Sequence, residues 1–353
     1  MQCFTIRMKL FLLPFAWVYD LLTRIRNKLF TIGLKNTKSF QHICTISVGN
    51  LNMGGSGKTP LTEYLIRLLF EKHRITTLSR GYGRLTKGMR LSNAADNAHT
   101  IGDEPLQLFK KFGHQIDVVV SENRIIAIEE ILKQKDHSEV IILDDAFQQR
   151  SIRPDLNIML TRFSDPFFDD LIFPAGWLRE SRYGAKRADI IVVTKCPEKI
   201  SAEEMGYYKR RIKKFSGDKP VFFTQIDYSA PVAFGNQNTI GEKIILLTGI
   251  AQSGILLKHC KTQFQILEHL RYADHHPYSI QDVQNIITRA RKLNASILTT
   301  EKDMIRLLKY ESQELIKNNA WFYWPIEFKF YTNQEEFDSL IIKSIQLKLA
   351  ARR

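Results

Sequence analysis

Short apolar runs rich in Val and Ile recur through the first half of the chain, at Ile43–Val48, Ile75–Leu78, Asp117–Val120, Val140–Leu143, Leu156–Leu160 and Asp189–Val193. Between several of them apolar residues return at helical spacing, as in Leu61–Leu69, Glu104–Phe112 and Arg124–Leu132. Continuous apolar strands alternating with helices predict an α/β fold, a parallel sheet sandwiched by helices. Sheets of this kind bind ligands at the carboxyl ends of their strands, so the polar residues after each run carry the chemistry. The pattern loosens over residues 201–242. There Tyr207–Phe215 reads as a basic amphipathic helix, and Gly217, Pro220, Pro231, Gly235 and Gly241 mark loops. A second set of strands follows, at Lys243–Leu247, Gln263–Leu267, Ala295–Leu298 and Trp321–Trp324. The expected divisions are an N-terminal region 1–40, a core 41–225, a linker 226–242 and a smaller α/β domain 243–353.

The first strand runs into Ser47–Pro60, SVGNLNMGGSGKTP, and a helical pattern starts directly after it. A strand, a glycine-rich turn and a helix N-terminus together form a phosphate cradle. Gly54, Gly55, Ser56 and Gly57 present backbone amides, and the positive end of the helix dipole favours an anion. Lys58 is spaced to reach the outer phosphates and the Thr59 hydroxyl to ligate Mg2+, with Pro60 in the first turn. The core is therefore a P-loop NTPase-type domain. Asn52 departs from the strict pattern, standing where its first glycine belongs.

After Val140–Leu143 come Asp144 and Asp145, an acidic pair in the Walker-B position. Adjacent carboxylates repel unless a cation offsets them, so metal explains the pair better than helix capping, although one of the two could be a cap. Gly102-Asp103-Glu104-Pro105 supplies a second acidic pair. Asp103 reads either as a cap or as the base for an incoming hydroxyl. Ser79–Arg84 carries two arginines and Tyr82 at a strand end, and Pro174–Glu180 is a turn-rich segment suited to a substrate lip. Val192–Pro197 resembles the base-reading T-K-x-D loop of GTPases, but Pro197 replaces the aspartate, which argues against guanine specificity. In the smaller domain, Asp274–Tyr278 precedes a helix and Thr299–Asp303 follows a strand. Neighbouring His275 and His276 suit a catalytic or capping role better than zinc.

Residues 1–40 hold seven Lys/Arg against Asp20 alone, flanking the uncharged run Leu10–Tyr19. That run is too short to span a bilayer, which needs roughly 20 apolar residues. Basic residues around Phe11, Leu12, Phe15, Trp17, Leu21 and Leu22 suit a helix lying in a membrane interface; a core-packed helix with a solvated basic side is the alternative. The net charge of +14 favours an anionic membrane or a phosphorylated substrate, and no helix-turn-helix, zinc-finger or RNA-binding signature points to nucleic acid. Cys3, Cys44, Cys196 and Cys260 lack C-x-x-C spacing, which suits a reducing cytoplasm.

Taken in order, VGNLNMGGSGKTP, LSRGYGR, GDEP, SENR, DDAFQ, PAGWLRE, DHHPY and TEKD resemble the tetraacyldisaccharide 4'-kinase family of Gram-negative lipid A biosynthesis. The resemblance implies a peripheral enzyme on the cytoplasmic face of the inner membrane, using ATP and Mg2+. It would phosphorylate the 4'-hydroxyl of a tetraacyldisaccharide 1-phosphate to give lipid IVA. By position it makes Asp103 the base and His275 its partner, with Lys58 also catalytic and Thr59, Glu104, Asp144 and Asp145 around the metal. Tyr82, Arg124, Gln148, Arg179 and Glu180 match family positions near substrate or phosphates. Ala146 stands where many relatives have glycine. The partners expected are a lipid substrate and an anionic membrane surface, with no nucleic acid and no obligate protein partner. A soluble P-loop kinase of another hydroxyl substrate, or a nucleotide-dependent switch ATPase, is the alternative reading of the residues alone.

Overall fold

The structure, a computed structural model, describes residues 6–251, 253–309 and 314–351, the side chain of Ile6 excepted. Cys3 lies outside the described residues.

In chain order the elements begin with helix α1 (Ile6–Thr31), strand β1 (Cys44–Asn50), α2 (Lys58–Leu69), β2 (Ile75–Ser79) and β3 (Arg90–Leu91). Next come α3 (Ala98–Ile101), α4 (Asp103–Phe112), β4 (Asp117–Val120), α5 (Arg124–Lys133), β5 (Val140–Asp144) and β6 (Leu156–Arg162). Then follow β7 (Ile190–Thr194), α6 (Ala202–Ser216), β8 (Val221–Tyr228), β9 (Val232–Ala233), β10 (Lys243–Thr248) and α7 (Gly254–Gln263). The chain ends with β11 (Gln265–Arg271), α8 (Ile280–Leu293), β12 (Ser296–Thr300), α9 (Glu301–Leu307), β13 (Trp321–Trp324), β14 (Ile326–Phe330) and α10 (Gln334–Ala350).

Among the described residues the main sheet has nine strands in the order β14-β8-β7-β6-β1-β5-β2-β4-β3. All neighbours are parallel except the edge pairs β14/β8 and β3/β4. Both faces are covered, which is why the strands read as unbroken apolar runs. Ile142, Ile158 and Val192 face α2 and α10, through Leu61, Leu65, Phe337, Ile341 and Ile345. The alternate residues Ile141 and Leu143 pack on α5, while Ile191 and Val193 pack on α6. Register places Val48 opposite Asp144, and Thr194 opposite Arg162. The turn after β1 therefore sits beside the acidic pair on one flank and the ends of β6 and β7 on the other.

The smaller sheet runs β11-β10-β12-β13-β9, with only β9 antiparallel. Its faces are covered by α8, through Val283, Ile286 and Ile287, and by α7, through Leu256 and Cys260.

Three expectations are corrected. The smaller domain does not extend to residue 353: β14 pairs with β8, and α10 buries Phe337, Ile341 and Ile345 in the main core. The Tyr64 hydroxyl donates to Asp338 Oδ1 at 2.7 Å across the same packing. An amphipathic C-terminal helix carries no local sign of which sheet it will cover, so only the long-range packing decides this. The expected linker is shorter than 226–242, because β8 continues to Tyr228 and β9 already belongs to the smaller sheet. The strand expected at Gln263–Leu267 starts later, at Gln265, because α7 holds Gln263.

Helix α1 lies along the main domain, with Pro14 inside it. One face docks: Ala16 is buried, the Tyr19 hydroxyl donates to the Arg179 carbonyl at 3.1 Å, and Arg26 donates to the Gln148 carbonyl at 2.8 Å. The other face leaves Phe11 72% and Trp17 67% exposed, beside Phe15, Leu21 and Leu22. No helix among the described residues is long and apolar enough to cross a membrane.

Candidate active site

The glycine-rich turn is built for close approach to a ligand. Gly54 and Gly57 have φ of +100° and +87°, and Gly57 opens α2 directly, so no side chain covers the first helical amides. Gly55 is exposed at the crest, and Ser56 is buried with an Oγ that has no hydrogen-bond partner. Lys58, Thr59 and Pro60 form the first turn of α2. The Lys58 ammonium lies 3.5 Å from both Asn50 Oδ1 and Asp145 Oδ1. The non-glycine at position 52 has a structural cause. Asn52 Nδ2 donates to Asp170 Oδ2 at 2.8 Å, and Met53 N donates to the Trp177 carbonyl at 2.7 Å. The entry of the turn is thereby tied to the Pro174–Glu180 segment.

The two aspartates after β5 differ in environment. Asp144 is buried and its Oδ1 lacks a hydrogen-bond partner. Burial first, and then the Glu104 charge, push its carboxyl up to about 7 against the pull of Lys58. Asp145, at φ +44°, accepts from Arg179 Nη1 at 3.0 and 3.1 Å on its two oxygens. Burial would raise its pKa, but Lys58 and Arg179 together hold it below the usual carboxylate range. One carboxylate is thus committed to cations of the chain and the other retains an open oxygen.

Asp103 and Glu104 open α4, which starts after Gly102 at φ +93°. A Cβ at Gly102 would come within 2.9 Å of the Tyr82 carbonyl, so glycine is what lets this helix end approach the Tyr82 loop. Both carboxylates reach the smaller domain. Glu104 pairs with Lys302 at 2.5 Å, and Asp103 Oδ2 accepts from Arg306 Nε at 2.7 Å. His275 Nδ1 sits 3.3 Å from the same Asp103 oxygen and 3.2 Å from Arg306 Nη2. This nitrogen donates to Asp103 in one tautomer and accepts from Arg306 in the other. Burial raises the Asp103 pKa, but the His275 hydrogen bond and the Arg306 charge outweigh it, leaving the carboxyl below its usual value. His276 points elsewhere, with Nε2 at 3.2 Å from Asp282 Oδ2 in the cap of α8.

The remaining candidates fall into two groups. Tyr82 is 80% exposed and meets the His275 ring edge-on at 6.1 Å between centroids, open to a ligand. Arg179 lies on Asp145, and Gln148 links Arg179 to β1, donating to the Asn50 carbonyl at 2.7 Å and accepting from Arg179 at 3.3 Å. Arg124 is buried, its Nη2 donating to the Asp144 carbonyl at 2.5 Å, so it braces the acidic turn from behind. Glu180 is buried between Asn27 of α1, at 2.5 Å, and Arg187, at 2.6 Å. Its carboxylate holds α1 rather than facing the turn.

Reading by motif misses Arg306, Arg187, Asn27 and Asn50. Arg306 was findable, because it follows Asp303 by three residues on one helix face and pairs with it at 3.0 Å. Asn27 acts across a long sequence separation, and Arg187 and Asn50 lie seven and eight residues from Glu180 and Lys58, spacings that give no helix-face signal.

The chain matches the tetraacyldisaccharide-1-P 4'-kinase family over residues 8–346. It is 42% identical to the tetraacyldisaccharide 4'-kinase of Flavobacterium psychrophilum, over 95% of this chain and 96% of that one. To the enzyme of the same name from Bacteroides thetaiotaomicron it is 38% identical, over 94% and 91%. Its fold matches the crystal structure of LpxK from Aquifex aeolicus in complex with ATP at a TM-score of 0.74 and 28% identity, covering 96% of this chain and 99% of that one.

Proposed function

The chain belongs to the tetraacyldisaccharide-1-P 4'-kinase family, and from that premise we propose how its own residues carry out the reaction. The enzyme transfers the γ-phosphoryl group of ATP to the 4'-hydroxyl of a tetraacyldisaccharide 1-phosphate in lipid A biosynthesis, releasing ADP. The observation that carries the assignment of roles is the meeting of Asp103 with His275 and Arg306 across the two domains, beside the phosphate-binding turn. A hydroxyl acceptor needs such a proton-accepting group outside the nucleotide cradle.

The turn amides and Lys58 hold the phosphate chain and offset its charge. Lys58 rests against Asp145, and Arg179 shares that aspartate, which holds the ammonium at the turn. Asp103 accepts the sugar proton as the new bond to phosphorus forms. Late transfer is required, because a carboxyl with a lowered pKa is too weak a base to deprotonate a sugar hydroxyl beforehand. His275 orients that carboxylate and, with exposed Tyr82, borders the space the sugar would enter.

The donor set fits Mg2+. Among the described residues no three His, Cys, Asp or Glu side chains cluster as a metal cage, and Mg2+ prefers one or two carboxylates with phosphate and water. Thr59 and the open oxygen of Asp144 would hold it, with Glu104 and Asp145 nearby to balance charge. When bound it supplies charge neutralisation for the β- and γ-phosphates.

The exposed apolar face of α1 supports peripheral attachment to an anionic membrane, where an acylated substrate resides. Replacing Phe11, Trp17 and Leu21 together by serine should weaken flotation with anionic vesicles and leave ATP binding intact; unchanged flotation would refute the attachment. The reaction is tested by transfer of γ-labelled phosphate from ATP to the tetraacyl disaccharide 1-phosphate in detergent micelles, with wild type beside Asp103→Ala. Labelled lipid from wild type and a collapse in the variant are expected. Release of free phosphate alone by wild type would overturn the reading.

A further inference from the structure

The T-K-C-P segment at the end of β7 has no part in the roles assigned above, yet it is fastened to the phosphate-binding turn. Thr194 is buried, and its Oγ1 donates to the Ser56 carbonyl at 2.8 Å. Lys195 follows with φ of +55°, an uncommon conformation for a residue with a side chain. Its ammonium is thereby directed over the crest of the turn, where Nζ is the nearest atom to a Cβ built on Gly55, at 3.9 Å. Among the described residues that ammonium has no hydrogen-bond or ion-pair partner.

Beside it, at the end of β6, Arg162 is 3% exposed. Its Nη2 has no hydrogen-bond acceptor and only a 3.6 Å approach to Asp165. Burial, and then the charges of Arg162, Lys302 and Lys58, depress the Lys195 ammonium to about 8. Lys195 and Arg162, partly desolvated and short of counter-charge, are unfavourable by themselves and favourable around a polyanion.

We propose that Lys195, backed by Arg162, is a second cation for the phosphate chain of the bound nucleotide. It reaches the chain across Gly55 from the β6–β7 flank of the turn, while the aspartates stand on the β5 flank. Pro197, in place of the guanine-reading aspartate, leaves this loop to recognise phosphate rather than a particular base. The inference rests on the ATP reading of the turn given above.

The test is calorimetric binding of ATP, ADP and AMP to the full chain, for wild type, Lys195→Met and Lys195→Arg. Losing one charge-assisted contact predicts about a tenfold weaker Kd for ATP and ADP in Lys195→Met, with partial recovery in Lys195→Arg. AMP, lacking the outer phosphates, should change little, and the ATP difference should shrink as salt rises. Ligand-free Lys195→Met should melt at or above the wild-type temperature, because an unpaired cation has been removed, so a folding defect is separable from a binding one. An unchanged ATP affinity in Lys195→Met would overturn the inference. So would a rise confined to the KM for the lipid acceptor, which would assign the cation to the acceptor's phosphate. Wild type that binds no ATP would overturn both this inference and the reading beneath it.

Discussion

Replacing Arg306 by methionine should slow phosphoryl transfer and move its pH dependence, because one guanidinium organises the interdomain half of the site. Arg306 donates to Asp103 at 2.7 Å, to Asp303 at 3.0 Å and to the Gly249 carbonyl at 3.0 Å, with its side chain only 5% exposed. Methionine keeps the stem's packing and removes all three hydrogen bonds, together with the Nη2 contact to His275. Breaking a buried ion pair costs roughly 3–5 kcal/mol. Asp303 retains the Gly249 amide, the Tyr278 hydroxyl and the Thr300 hydroxyl, and Asp103 is partly open to water. The expected loss of stability is therefore at the lower end, about 3 kcal/mol.

Two effects on rate oppose each other. Losing the donor that fixes Asp103 lowers kcat, on the order of 10²-fold for displacement by about an ångström. Losing a nearby positive charge raises the Asp103 pKa and makes it a better base. Positioning dominates kcat, whereas the charge shows in the pH profile. In wild type the lowered pKa keeps Asp103 ionised to below the usual carboxylate range, so the acidic limb of kcat/KM lies low; in the variant it moves up. The stability linkage has the same sign. The depressed pKa contributes stability above the unfolded value of 3.8 that is lost as pH falls through the folded value, and the variant has less to lose. Steady-state rates from about pH 2.5 to 8 at saturating ATP, with thermal melts alongside, would measure both. A kcat within about twofold of wild type, together with an unmoved acidic limb, would refute the claim that Arg306 holds Asp103 in the working enzyme.

Three further outcomes follow from the site. Asp144→Asn should raise the melting temperature of the metal-free protein by a few degrees, since it removes a buried charge with an unsatisfied oxygen, yet lower Mg-ATP-dependent transfer at least about 10²-fold; a variant that is both less stable and active would contradict this. Glu301 is buried beside Lys111 and Glu63, and burial first, then the Glu63 charge, push its carboxyl up to about 7. The folded state then holds that proton more tightly than the unfolded chain, so stability falls as pH rises from about 4.5 to 7, and Glu301→Gln should flatten melting curves over that window. Glu180→Ala should cost about 3 kcal/mol by stranding Arg187 and should expose α1 to proteolysis; an intact α1 under limited trypsin would show that the Asn27 contact does not hold the helix.

The alternation of apolar strands and helices, and the strand-turn-helix placement of Gly54–Thr59, were legible in the chain because they depend on local periodicity and on glycine's backbone freedom. Asp144, Asp145 and Asp103 stand out in sequence as acids at strand ends and helix starts, whereas the reading of Asp103 as base and His275 as its partner comes from the family resemblance. Several outcomes were not legible. Asp144 is left open while Asp145 is bound by Lys58 and Arg179; Glu180 turns towards α1; β14 and α10 return to the main sheet. Each of these depends on which distant side chain arrives within hydrogen-bond reach, and burial decides what that encounter is worth. Identical carboxyl groups one residue apart acquire opposite pKa shifts because one meets two cations and the other meets another acid in a water-poor pocket. The sequence by itself determined the fold class, the phosphate cradle and the kind of chemistry. The tertiary structure alone decided the partner of each charge, because those partners converge from strand ends and helices far apart in the chain.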